Sequence, residues 1–203
     1  RLSDDFTKAG NGRFVGISPE NTANPVLWTV NIEGLKNCGR LAKSPSGKLG
    51  AIACSSLFDM TTYQYNPAES DVVIFDLTVT PPKELRRLGL GKAVEAGIMA
   101  NVEFASESKL FALAYGGNVV AGDRAFAVDV ETGDFEQLLE ADGAYKFFGT
   151  HCAPGCGDVC VLSDAETGVL KRFSVSDAGE FTALDDVKVE SSIGLPPHGI
   201  GAL

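Results

Sequence analysis

Ser44-Pro45-Ser46-Gly47 followed by Lys48-Leu49-Gly50-Ala51-Ile52-Ala53-Cys54, and further on by Asp71-Val72-Val73-Ile74-Phe75-Asp76-Leu77, decides the fold. The first four residues are turn formers, with a glycine where a positive φ is needed. Next comes an apolar run of strand length, then a second, richer in β-branched residues and closed by an aspartate. The same order recurs. Ser106-Glu107-Ser108 leads into Lys109 to Tyr115 and then Arg124-Ala125-Phe126-Ala127-Val128-Asp129-Val130. Gly155-Cys156-Gly157 leads into Asp158 to Ser163 and then Val169 to Val175. A weaker copy runs from Gly10-Asn11-Gly12 through Arg13 to Ser18, with Val26 to Ile32 as its partner.

Outer strands complete the units at Glu84 to Leu90, Phe135 to Glu140 and Phe181 to Val189, the middle one entered by the turn Glu131-Thr132-Gly133-Asp134. Helical periodicity is confined to Lys92 to Ala100, in a connection between units. A β-sandwich also has short strands and frequent turns, but it does not repeat one turn–strand–loop–strand–Asp order. The expectation is therefore an all-β β-propeller of about four four-stranded antiparallel blades, part of a six- or seven-bladed ring. The blades fall at 1–37, 38–91, 98–143 and 144–190, and 194–203 reads as the opening of a further one cut short. The absence of an initiator Met at Arg1 fits a processed chain or an excised fragment, and we expect a fragment lacking blades of its parent.

Five cysteines stand at 38, 54, 152, 156 and 160. Superposing the turn glycines Gly47 and Gly157 places Cys38 opposite Cys54 and Cys152 opposite Cys160 in one shared hairpin frame, the second pair nearer the tip. Opposed positions on neighbouring strands bring Cβ atoms within about 4.5–5.5 Å, close to what a disulfide requires. Two cross-strand disulfides are expected, with Cys156 left over, and they imply a periplasmic or extracellular location. The competing reading is a zinc site from His151, Cys152, Cys156 and Cys160, although Ala153-Pro154-Gly155 prevents the helix that would gather ligands at that spacing. Unpaired thiols are the third reading.

The formal charge of −10 repels nucleic-acid phosphates and anionic lipid, so neither is an expected partner. No apolar window approaches the roughly 20 residues of a membrane helix, and no membrane insertion is expected. No cofactor is expected; besides zinc, calcium is a weak option at Glu131 to Asp134 and Asp164 to Gly168, which lack the dense alternating ligands of a dedicated loop. Asp76 and Asp129 recur after the second strand and read as Asx-turns closing it. The loop Leu57 to Ser70 is long and aromatic, and Phe58, Tyr63 and Tyr65 are its candidate contact residues. Trp28 reads as core.

Ser-Pro-Ser-Gly-Lys, an apolar strand, and Val-Val-Ile-Phe-Asp-Leu-Thr together resemble the YVTN-type and lactonase-like repeats of exported bacterial seven-bladed propellers. The resemblance covers about 40–203 and is best over 40–91 and 98–140. It implies that Pro196-Pro197-His198 opens a blade near a central channel, which makes His198 the one candidate catalytic residue. The chain departs from the pattern in its cysteines, its long 57–70 loop and its weak first repeat. With no Gly-x-Ser-x-Gly, His-Glu-x-x-His or P-loop, and no convergent acid, base and nucleophile in the sequence, the expected function is a non-catalytic binding or protein-interaction scaffold. The alternative is a lactonase-like hydrolase working through His198.

Overall fold

The computed structural model describes residues 8–117, 122–155 and 158–189. The strands are β1 (Gly12–Ile17), β2 (Val26–Ile32), β3 (Cys38–Lys43), β4 (Leu49–Ser55), β5 (Phe58–Asp59), β6 (Gln64–Tyr65), β7 (Ser70–Asp76) and β8 (Lys83–Arg87). They continue with β9 (Ile98–Phe104), β10 (Lys109–Ala114), β11 (Arg124–Asp129), β12 (Phe135–Glu140), β13 (Phe147–Ala153), β14 (Val159–Asp164), β15 (Val169–Val175) and β16 (Phe181–Lys188). Three four-stranded antiparallel sheets result, β3-β4-β7-β8, β9-β10-β11-β12 and β13-β14-β15-β16, each a simple meander. These are propeller blades.

Gly47 (φ 71°) and Gly133 (φ 79°) sit in the left-handed region that their turns demand. Asp76 Oδ1 accepts from Thr78 N, and Asp129 Oδ1 accepts from Glu131 N and Thr132 N, the Asx-turns that the sequence implies. Asp164 does the same for Glu166 and Thr167. At the end away from their connecting loop, the second and third strands are tied alike, with Leu77, Val130 and Val175 amides donating to Lys48, Ser108 and Asp158 carbonyls. Those bonds give a common count along the three sheets.

The sheets stack face to face. Ala51, Ala53 and Ile74 pack against Val102, Leu110 and Val128, and Phe111, Leu113 and Ala125 pack against Cys160, Leu162 and Phe173. Strand β9 lies against β3 and β13 against β9, so the first strands gather about the axis. The approach is close enough that a Cβ on Gly39 of β3 would collide with the Ala100 carbonyl of β9. The fourth strands β12 and β16 are largely exposed and form the rim.

Cys38–Cys54 and Cys152–Cys160 are disulfides, each joining directly opposed residues of β3/β4 or β13/β14. The zinc reading fails there, because two of its four ligands are consumed in the second bond. His151 lies next to that bond in β13, and Cys156 lies outside the described residues.

Two segments differ from the sequence reading. The helix expected over Lys92 to Ala100 is the single turn α1 (Leu90–Ala93), and Ile98 already belongs to the strand β9. The Asp71 carboxylate accepts from Gly89 N and Leu90 N and fixes the helix start, while Ile98, Val102 and Phe104 alternate into the core as a strand. The first repeat is a two-stranded hairpin, β1–β2. Among the described residues it has these two strands, paired as the sequence implies, and Phe14 meets Phe75 at 5.3 Å much as Phe111 meets Phe173 at 5.7 Å between the next sheets. Its Phe14, Val30 and Ile32 cover Phe75 and Val73 of the next sheet, and Trp28 is half-buried edge-on to Phe14. The expected blade opening at 194–203 lies outside the described residues. Among the described residues no helix is long and apolar enough to cross a membrane.

Candidate functional site

First strands are the only strands of a propeller that can line its axis, so polar side chains from successive sheets can meet there. Glu103 of β9 faces Phe111 and His151 of β13 faces Val161. Counted from the Ser108 and Asp158 carbonyls, the two occupy the same rung of successive sheets. Arg40 of β3 reaches across to Glu103 and forms an ion pair between sheets. Its guanidinium-bearing side chain is 58% exposed, whereas that of Glu103 is 14% exposed. On β9 as well, Asn101 Nδ2 donates to the Phe148 carbonyl of β13 at 3.1 Å. Three first strands are thus joined by the Arg40–Glu103 ion pair and the Asn101 amide, and the His151 imidazole lies near enough to Glu103 to act on its charge.

Burial pushes the Glu103 carboxyl above its ordinary range, and the charges of Arg40 and His151 only partly oppose that shift. A buried carboxylate with a raised pKa beside a guanidinium is a candidate for proton transfer. Sequence reasoning missed Arg40, Asn101 and Glu103. Each sits in an ordinary polar–apolar alternation, and only the stacking of blades brings them together. His198 lies outside the described residues, so its place relative to this cluster is not described.

A second feature stands where β9 begins. A cavity of about 570 Å³ is lined by Tyr65, Pro67, Lys92, Glu95, Gly97 and Tyr115. From Gly97 to Glu103 is roughly 20 Å along an extended strand, so this cavity and the axial cluster are separate places. Its wall is part of an aromatic ladder. Tyr63 meets Phe58 at 6.3 Å, Phe58 meets Tyr65 at 5.1 Å, Tyr65 stacks on Tyr115 at 4.4 Å, and Tyr115 meets Tyr145 at 6.2 Å. Desolvation raises the Tyr65 and Tyr115 hydroxyls above the usual phenol range. Of the candidate contact residues, Phe58 and Tyr65 are folded back into the ladder and half-buried, and Tyr63 remains 66% exposed.

Metal chemistry finds little support. Among the described residues no three His, Cys, Asp or Glu side chains are grouped to hold an ion. Three of the four acids of the two loops read as weak calcium options are engaged locally. Asp134 accepts from Thr132 Oγ1, Glu166 pairs with Lys146, and Asp164 closes its own turn.

No protein-family model and no curated protein matches the chain. Solved structures do. The periplasmic gluconolactonase of Pseudomonas aeruginosa is similar with a TM-score of 0.52 at 18% identity, over 85% of this chain and 47% of that one. A putative 6-phosphogluconolactonase from Bacteroides uniformis is similar with a TM-score of 0.50 at 13% identity, over 92% of this chain and 56% of that one. These likenesses agree with a β-propeller fold, and the chain spans about half the length of the structures it matches. At such identity the likeness establishes architecture alone.

Proposed function

We propose that this chain contributes the axial site of a lactonase-like hydrolase. The observation that carries the reading is the convergence of Arg40, Glu103 and His151 from three successive first strands. The scaffold reading drew on the lack of a convergent acid, base and nucleophile in the sequence; the nearness of a carboxylate, a guanidinium and an imidazole supports the hydrolase alternative instead. In the proposed reaction the Glu103 carboxylate takes a proton from water as its oxygen attacks the lactone carbonyl carbon. The Arg40 guanidinium faces the oxyanion that forms. Collapse breaks the ring carbon–oxygen bond, and the proton returns, through Glu103 or His151, to the departing alkoxide. The product is a hydroxy acid. A sugar lactone, plain or phosphorylated, is the substrate class that the fold's solved relatives make first choice for testing. The two disulfides support export to the periplasm or the medium. The long loop with Phe58, Tyr63 and Tyr65 would border the mouth.

The test is continuous titration of acid released from gluconolactone and its 6-phosphate, corrected for spontaneous hydrolysis. Glu103→Gln is expected to lower the catalysed rate by about 100-fold or more, the usual reach of a positioned general base. Arg40→Ala is expected to do the same with a folded protein by circular dichroism. Retention of the full rate by both variants would sink the proposal, as would a wild-type protein no faster than buffer on either lactone.

A further inference from the structure

The cavity beside Tyr65 and Tyr115 takes no part in the axial cluster, and a blade does not need it. Strands β14 and β15 are joined by 165–168, whereas β4 and β7 are joined by 56–69. The longer connection walls the cavity, and chain beyond what a hairpin requires is where function concentrates. The walls are tied down. Ser56 Oγ accepts from Asn66 N at 2.9 Å, and Asn66 Oδ1 accepts from Ala68 N at 3.0 Å. Tyr115 N donates to the Gly97 carbonyl at 2.9 Å. The buried Arg124 donates from Nη2 to the Val94 carbonyl at 2.6 Å, which braces the turn that carries Lys92 and Glu95. Tyr65 lies so close to Gly97 that a Cβ there would stand 2.5 Å from its Cγ. Fixed backbone therefore holds the volume open, and about 570 Å³ is the size of a small-molecule site.

We propose that this cavity binds a neutral saccharide. A sugar ring has apolar C–H faces and a rim of hydroxyls, each of which both donates and accepts. The lining answers both kinds of surface. Tyr65 and Tyr115, parallel at 4.4 Å, supply apolar aromatic area with polar tips. Gln64, Asn66, Lys92 and Glu95 supply amides, an ammonium and a carboxylate, so donors and acceptors are mixed around one volume. Charge weighs against ionic ligands. Among the described residues neither Lys92 nor Glu95 forms an ion pair, and one of each sign favours neither an anion nor a cation. A quaternary cation needs free ring faces around it, whereas Tyr65 and Tyr115 stack on each other. A wholly apolar ligand would cover the four polar side chains without giving them partners. The inference does not rest on the hydrolase reading, since the cavity lies roughly 20 Å along β9 from Glu103.

The test is binding of maltotriose, cellotriose and triacetylchitotriose to the full chain, read by saturation-transfer NMR and titration calorimetry. At least one is expected to bind with a dissociation constant of about 1 mM or below. Lys92→Ala and Glu95→Asn are each expected to weaken it about 10-fold with circular dichroism unchanged. Both positions are exposed, and asparagine tolerates the φ of 52° at Glu95. Tyr65→Ala is expected to weaken binding about 10-fold or more. Glu103→Gln should leave the affinity unchanged, and Lys92→Ala and Glu95→Asn should leave lactone hydrolysis unchanged. No binding of any of the three sugars at about 10 mM would overturn the proposal whatever the hydrolase assay shows. A sugar released by Glu103→Gln and kept by both Lys92→Ala and Glu95→Asn would overturn it too, by placing the ligand at the axis.

Discussion

The 98–140 sheet and the two sheets beside it are built on one hairpin frame, yet only the flanking sheets staple theirs. Ala114 and Ile98 are opposed at the place where Cys54 meets Cys38, and Leu110 and Phe104 are opposed where Cys160 meets Cys152. All four residues of the middle sheet are almost wholly buried. That sheet has a full sheet against each face. The 38–87 sheet has a two-stranded hairpin on one side, and the 147–188 sheet has a second face that no other sheet of the described residues covers. The lesson is physical: packing on both faces holds a blade's inner hairpin, and a cross-link does so where cover is partial. A disulfide acts mainly on the unfolded chain, so it stabilises a blade whatever covers it.

If cover is what distinguishes the sheets, deleting it should hurt the middle one most. Phe111 is fully buried, with its ring 5.7 Å from Phe173 and 5.9 Å from Phe181. Phe111→Ala is expected to cost about 3–5 kcal/mol in urea unfolding. Val161→Ala, at the matching half-buried position of the 147–188 sheet, should cost less than about 1 kcal/mol. Equal losses would remove the distinction.

The staples come next in size. Replacing Cys38 and Cys54 together by Ala opens a loop of sequence separation 16 and should cost about 3 kcal/mol in the chain-entropy model. The same change at Cys152 and Cys160, with separation 8, should cost about 2.5 kcal/mol. The order matters more than the values, and calorimetric midpoints of the two double variants read it. A larger loss at the 152–160 pair would mean that the open end depends on its staple for more than loop entropy.

Much of this frame was legible in the sequence because it is local. A turn fixes a hairpin's register, and register alone decides which cysteines oppose each other; the Asx-turns at Asp76 and Asp129 are equally local. What escaped was what depends on ring geometry. Arg40 and Glu103 are 63 positions apart and meet only because β9 lies against β3. Phe58 and Tyr65 looked like loop-tip aromatics, and the partner that folds them back, Tyr115, comes from the next sheet.

The smallest expected effect separates two kinds of acid within the middle sheet. Asp129, in an exposed turn, is lowered to about 2, first by the Thr132 amide, helped by the Lys109 side chain and the Glu131 amide. Glu103, against the axis, is shifted the opposite way by burial. A lowered acid adds stability that is present above its ordinary value of about 3.9 and lost as pH falls towards 2. A raised acid adds stability that is present below its ordinary value of about 4.3 and lost as pH rises through the shifted one. Asp129→Asn should therefore lower the midpoint of urea unfolding slightly at pH 6, by well under about 1 kcal/mol because solvent screens the turn, and the gap should close by about pH 2. Glu103→Gln should show the reverse, a chain at least as stable as the wild type at pH 7 and no gain below about pH 4. Parallel gaps for the two variants across that range would mean that both carboxyls sit in equivalent surroundings, and the contrast between packed axis and solvated turn would fail.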